Sequence, residues 1–128
     1  MSESDFISGR SQKKKRLDTA DAVILEEAIH RTERASDHLR SKLRGRLKIT
    51  VSDTGEYIFD WSENRAHAYK LDGNDSPEVD ASITLSEETL VRIAEGSLNP
   101  QICLLSEKIN IEGSPELPIY FFNLITPT

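Results

Sequence analysis

The most constraining feature of this chain is a run of cap and turn signals between Asp80 and Ile125 that divides it into short, well-bounded elements. Ser86 is a good helix N-cap, because its side-chain oxygen can accept one of the backbone N–H groups orphaned in a first turn. Glu87 and Glu88 then place negative charge at the positive end of that helix. Leu90, Ile93 and Ala94 make one apolar face, and Gly96 supplies the left-handed residue that ends it. Asn99-Pro100 restarts a helix at once, with Asn as cap and Pro at the first helical position. Ile109 and Ile111 alternate with Asn110 and Glu112 as in a short strand closed by Gly113, and Ser114-Pro115 is expected to cap a last helix.

The preceding part reads in the same way. Ala22, Leu25, Ile29, Thr32, Ser36, Leu39 and Leu43 follow 3-4-3-4 spacing, so a long amphipathic helix is expected from a cap at Asp18 or Thr19 to a stop at Gly45. Two of those seven positions are polar, which suits a helix lying on a sheet better than a coiled coil. Leu47, Ile49 and Val51 alternate with polar residues; so do Tyr57, Phe59 and Trp61 after the Asp53-Thr54-Gly55 turn. Residues 66–71 make a third strand of an antiparallel meander, and Ala81–Leu85 a fourth strand after a polar crossing loop at 72–77. In the last helix Leu117, Tyr120, Phe121 and Leu124 share one face, while Ile119, Phe122 and Ile125 are expected to turn toward others. A helix apolar nearly all round needs cover on both sides.

The order of these signals resembles the sterol carrier protein 2 family of intracellular lipid-binding domains. Asp80, Gly96, Asn99, Pro100, Gln101, Lys108, Ile111 and Gly113 fall in register with the family's pattern, closely from Asp80 to Ile125 and more loosely over most of the chain. The family usually carries Gly before the Lys, where this chain has Glu107, so the turn there is where the match is weakest. The resemblance implies an α+β fold: a five-stranded, mostly antiparallel twisted sheet with helices packed on one face. It also implies a non-enzymatic carrier that holds a sterol, fatty acid, acyl-CoA or isoprenoid- or polyketide-type intermediate in an apolar tunnel. Leu90, Ile93, Leu98, Leu104, Leu105, Ile109, Phe121, Phe122 and Ile125 are the expected lining, with Gln101 as a polar group at the mouth or as part of its own helix cap. Burying a tail contributes roughly 0.8 kcal/mol per CH₂, so about ten methylenes suffice for micromolar affinity after association costs.

Composition narrows the alternatives. With 128 residues, 37% apolar and 30% charged, the chain has room for one core and a modest cavity. No apolar run approaches the roughly 18 residues of a spanning helix. The start of the chain lacks a secretory h-region, the ending Thr126-Pro127-Thr128 is unlike a peroxisomal address, and the one cysteine cannot form an internal disulfide. A cytoplasmic protein is therefore expected. The net charge of −6 hides an asymmetry. Residues 1–16 carry five basic and two acidic side chains and read as a mobile basic tail, leaving 17–128 as a single domain. Its Lys13, Lys14, Lys15 and Arg16 suit weak contact with an anionic membrane surface, or are simply a solvated terminus.

The pattern contains little chemistry. His30 and His38 are too far apart for a zinc helix, His67 falls in a strand, and Cys103 lies among apolar residues with no neighbour to activate it. There is no Gly-rich phosphate loop, metal-binding Cys pair or Gly-x-Ser-x-Gly elbow. No catalysis, cofactor, metal or nucleic-acid partner is expected. The alternative to a ligand carrier is an interaction module or accessory subunit of a biosynthetic enzyme, docking through the apolar C-terminal helix.

Overall fold

The computed structural model describes residues 18–35, 44–63 and 65–127. Five strands form one mixed sheet: β1 (Arg46–Val51), β2 (Gly55–Asp60), β3 (His67–Lys70), β4 (Ala81–Leu85) and β5 (Asn110–Gly113). The spatial order is β3-β2-β1-β4-β5. The pairs β1–β2, β2–β3 and β4–β5 are antiparallel, and β1–β4 is parallel. The expected α+β architecture is therefore present, with β1 central and the crossing loop before β4 carrying the chain to the far side of β1.

Strand register places most of the apolar residues on one face, although Ile58, in register with Lys48, is buried on the other. Leu47 stands opposite Phe59 and Ala81, and Ile49 opposite Tyr57 and Ile83, so these side chains form a continuous sheet surface under the helices. The other face carries Arg46 paired with Asp60 at 3.0 Å and Lys48 with Glu56 at 3.3 Å. Burial raises the Asp60 carboxyl, but its hydrogen bonds from Ser62 and Arg46 outweigh this and hold it below the usual carboxylate range.

Asp80 explains why this sheet end needs its neighbours. Its carboxylate accepts the Arg46 N–H at 2.9 Å, its N–H donates to Arg46 O at 2.9 Å, and its carbonyl accepts the Ser114 N–H at 3.3 Å. A Cβ on Gly45 would lie 2.5 Å from the Asp80 carboxylate, and one on Gly113 would lie 2.6 Å from its carbonyl oxygen. Both glycines have positive φ, 119° and 84°. Gly45 thus opens β1 beside Asp80; it does not stop the first helix, as the sequence suggested.

That first helix, α1, is a π-helical stretch Ala22–Glu27 continuing into regular helix Ala28–Arg34. Thr19 caps it by accepting the Ala22 N–H, and Glu87 accepts the Ala20 N–H at 2.7 Å from across the fold. Its buried residues are Ala20, Val23, Ile24, Ala28 and Thr32, whereas Ala22, Leu25 and Ile29 from the expected stripe are only half-buried. The wider i→i+5 turn, seen in the Ala28 N–H donating to Val23 O, is the physical reason: it keeps residues four apart on one face. The helix ends at Arg34, since Ala35 is extended at ψ 154°. Ser36, Leu39 and Leu43, expected to prolong the stripe, lie outside the described residues, as do the proposed tail and His38.

Helix α2 (Glu87–Glu95) follows its sequence signals closely. Ser86 Oγ accepts the Thr89 N–H at 3.1 Å, and Gly96 is left-handed with Ser97 N–H reaching back to Arg92 O at 2.9 Å. In α3 (Pro100–Leu105), Asn99 Oδ1 accepts the Gln101 and Ile102 N–H groups, so Asn99 alone is the cap. Helix α4 (Glu116–Ile125) starts at Pro115 with no side-chain cap, which corrects the expected role of Ser114. Pro118 sits in its first turn, where a missing N–H leaves no bond unmade.

Candidate ligand-binding site

The candidate site comprises α4 and the sheet face beneath it. Helix α4 buries Leu117, Pro118, Phe121, Phe122, Leu124 and Ile125, while Ile119 is half exposed and Asn123 faces outward. Phe122 and Ile125, expected on separate faces, therefore share one broad buried arc with Phe121, because α1, α2 and the sheet all pack against this helix. Across the interface an aromatic row runs from Trp61 through Phe59 and Phe121 to Phe122. Its ring centroids are 4.4, 5.9 and 5.7 Å apart, tilted or edge-to-face.

An open cleft of about 650 Å³ lies between the C-terminal ends of α1 and α4. Arg31, Arg34, Tyr120, Asn123, Leu124 and Thr126 are among its lining residues. Arg31 is fixed there: its Nη1 donates to Leu124 O at 3.3 Å and Ile125 O at 3.0 Å, and its Nε to Glu27 at 2.7 Å. Those carbonyls belong to the last turn of α4, where a cation is favoured by the helix dipole. The cleft is thus lined by cationic and polar groups, with Ala35, Leu124 and Pro127 as its apolar members.

The expected lining residues separate into three groups. Leu90, Ile93, Ile109, Phe121, Phe122 and Ile125 lie in the core. Leu98 and Leu104 are half-buried at its edge. Gln101 and Leu105 point away from it; Leu105 is 86% exposed, beside Ile102 at 62%, so α3 presents two apolar side chains outward. Sequence reasoning missed Arg31, Arg34, Tyr120 and Asn123. Only the fold brings Arg31 to carbonyls more than ninety residues away.

A second feature ties α1 to the sheet. The Tyr57 hydroxyl donates to the Asp21 carboxylate, and Tyr57 is fully buried. Burial first, then the Asp21 carboxylate, raises the phenol well above its ordinary value. Cys103 is a buried free thiol, His30 is exposed, and His67 is exposed near Glu63. Among the described residues no group of three or more His, Cys, Asp or Glu side chains is placed to hold a metal ion, and no helix is long and apolar enough to cross a membrane.

A mixed sheet covered on one face by helices, with an aromatic C-terminal helix lying over it, defines an α+β domain of the sterol-carrier type. The family model described as the SCP-2 sterol transfer family matches residues 25–125, and the chain belongs to that family. Among solved structures, the sterol carrier protein domain 2 of Helicoverpa armigera aligns with a TM-score of 0.63 at 23% identity, covering 91% of this chain and 92% of that one. Sterol Carrier Protein-2 from Aedes aegypti, solved in complex with the fatty acid palmitate, aligns at 0.61 and 17% identity, covering 82% and 92%. The apo form of Sterol Carrier Protein 2 from Yarrowia lipolytica aligns at 0.57 and 18% identity, covering 79% and 83%. At these identities the likeness is one of fold. No curated protein sequence matches this one.

Proposed function

We propose that this chain binds a hydrophobic ligand between its sheet and α4 and carries or presents it without chemical change, as a cytoplasmic carrier. The observation that supports this most is the aromatic row under α4 in a chain that belongs to the SCP-2 sterol transfer family. The ligand class is a sterol, fatty acid, acyl-CoA or isoprenoid- or polyketide-type intermediate. Leu90, Ile93, Ile109, Phe121, Phe122 and Ile125 are the proposed lining, with Leu98 and Leu104 at its edge. The cleft beside Arg31 and Arg34 is the proposed way in. Such a site gains affinity from apolar area and needs few polar contacts. Opening it requires α4 to shift from the sheet.

The alternative, docking of a partner through α4, is weakened because that helix already covers this chain's own sheet, leaving Ile119 as its large exposed apolar residue. The basic stretch Lys13, Lys14, Lys15 and Arg16 is proposed as a weak anchor to anionic membranes. The deciding experiment is native mass spectrometry of the purified protein followed by lipid extraction. A copurifying lipid of stoichiometric abundance is the expected result. Protein that is ligand-free and takes up no fatty acid or sterol would refute the carrier reading.

A further inference from the structure

Trp61 directly follows β2 and packs in the core with Phe59, and its backbone N–H donates to Gly45 O at 2.8 Å. The residue is 3% exposed, and its indole ring lies 4.4 Å from Phe59. Its indole Nε1–H is buried and has no hydrogen-bond partner; it is the one such side-chain atom among the described residues. Buried polar groups are nearly always satisfied, and leaving a donor unmet is unfavourable. An orphaned donor at the end of an apolar aromatic wall has the chemistry of a ligand subsite: one oriented polar group beside surface that takes hydrocarbon.

We propose that Trp61 Nε1–H donates a hydrogen bond to an oxygen of the bound ligand, and that this oxygen is uncharged. The ligand body would lie along Phe59, Phe121 and Phe122, with a ketone, ester or hydroxyl oxygen at Trp61. The neutral character follows from the donor. A single indole N–H is a poor match for a buried carboxylate, which needs a cation or several donors to offset its lost hydration. Arg46, the nearest strand arginine in register, lies on the opposite face of the sheet, where it pairs with Asp60. Trp61 therefore sets selectivity between an oxygen-bearing ligand and a pure hydrocarbon of the same length.

This inference rests on the carrier reading, and two probes separate the two. Methyl undecyl ketone and tridecane have the same carbon count and differ in one carbonyl. With the full chain labelled with ¹⁵N-tryptophan, the single indole cross-peak should move downfield on adding the ketone and stay in place with tridecane. The ratio of ketone affinity to tridecane affinity should fall about tenfold in Trp61→Phe, which is 1.4 kcal/mol. The indole shift is read in the native chain, so it holds even where the variant folds poorly. Ketone binding with an unmoved indole proton and an unchanged ratio would overturn the role of Trp61 and leave the carrier reading intact. Failure of both probes to bind would overturn both.

Discussion

Glu107 is the one described residue other than glycine with positive φ, at 64°, and replacing it tests how far local strain is held by the surrounding fold. The turn after α3 is closed by three backbone bonds: Glu107 N–H to Leu104 O at 3.2 Å, and Lys108 and Ile109 N–H to Cys103 O at 2.8 and 3.3 Å. These bonds need a left-handed residue at position 107, and the Glu side chain is exposed. A left-handed conformation costs an L-residue roughly 1–2 kcal/mol because Cβ crowds the following carbonyl. Glycine removes that cost but loses about 0.4–1 kcal/mol through its larger unfolded-state entropy. Glu107→Gly should therefore stabilise the protein by about 0.5–1 kcal/mol, raising Tm by roughly 2–5 °C. Glu107→Ala keeps Cβ and should give no such gain, which separates backbone strain from loss of the carboxylate. The assay is urea unfolding followed by Trp61 fluorescence alongside calorimetry, with m-values compared to confirm that the unfolding transition is unchanged. A glycine variant no more stable than the alanine variant would refute the reasoning, because the turn would then store no removable strain.

Three further outcomes follow from the same geometry. Phe121→Ala, at a fully buried position between Phe59 and Phe122, should cost about 3–5 kcal/mol in stability and weaken ligand binding; a loss below 1 kcal/mol by denaturant unfolding would mean that α4 is not packed as described. Tyr57 has a raised folded pKa, so its contribution is complete below the unfolded value near pH 10 and is lost as pH rises from there through the folded value; stability measured from pH 9 to 12 should fall less steeply in Tyr57→Phe, and identical slopes would count against a protonated Tyr57–Asp21 bond. Deleting residues 1–16 should reduce binding to anionic vesicles at low salt, and raising salt from about 0.05 to 0.5 M should reproduce the deletion by screening. Equal vesicle binding by the truncated and full chains would reduce those residues to a solvated terminus.

Much of the fold was legible because it is locally encoded. Ser86, Gly96 and Asn99-Pro100 mark helix ends through bonds that close within one turn, and they act in the structure as they read. The two-residue alternation of Leu47, Ile49 and Val51, and of Tyr57, Phe59 and Trp61, assigned the helix-facing side of these segments, because a pleated chain sends successive side chains to opposite sides; the burial of Ile58 on the other face was not legible in it. The composition of α4 likewise showed that it must be covered. The site was less legible: the apolar types expected around a ligand were visible, and most of them do lie in the core, but the outward position of Leu105 depends on how α3 packs.

What the sequence by itself determined, then, is the order of the strands and of the helices after Leu85 and most of their apolar sides, since caps, turns and alternation involve residues a few positions apart. Tertiary structure decided the rest. The parallel pairing of β1 with β4 brings Asp80 to Arg46 thirty-four residues away, and the absence of Cβ on Gly45 and Gly113 matters only once Asp80 lies against them. The stripe of α1 moved to Ala20, Ile24, Ala28 and Thr32 because a π-helical stretch changed the helix period, and propensity does not report that. The arginine at the cleft became a helix cap, and the indole N–H of Trp61 became an orphan, for the same reason. Whether a polar group is satisfied depends on what the fold places within about 3 Å of it, and those neighbours come from distant parts of the chain.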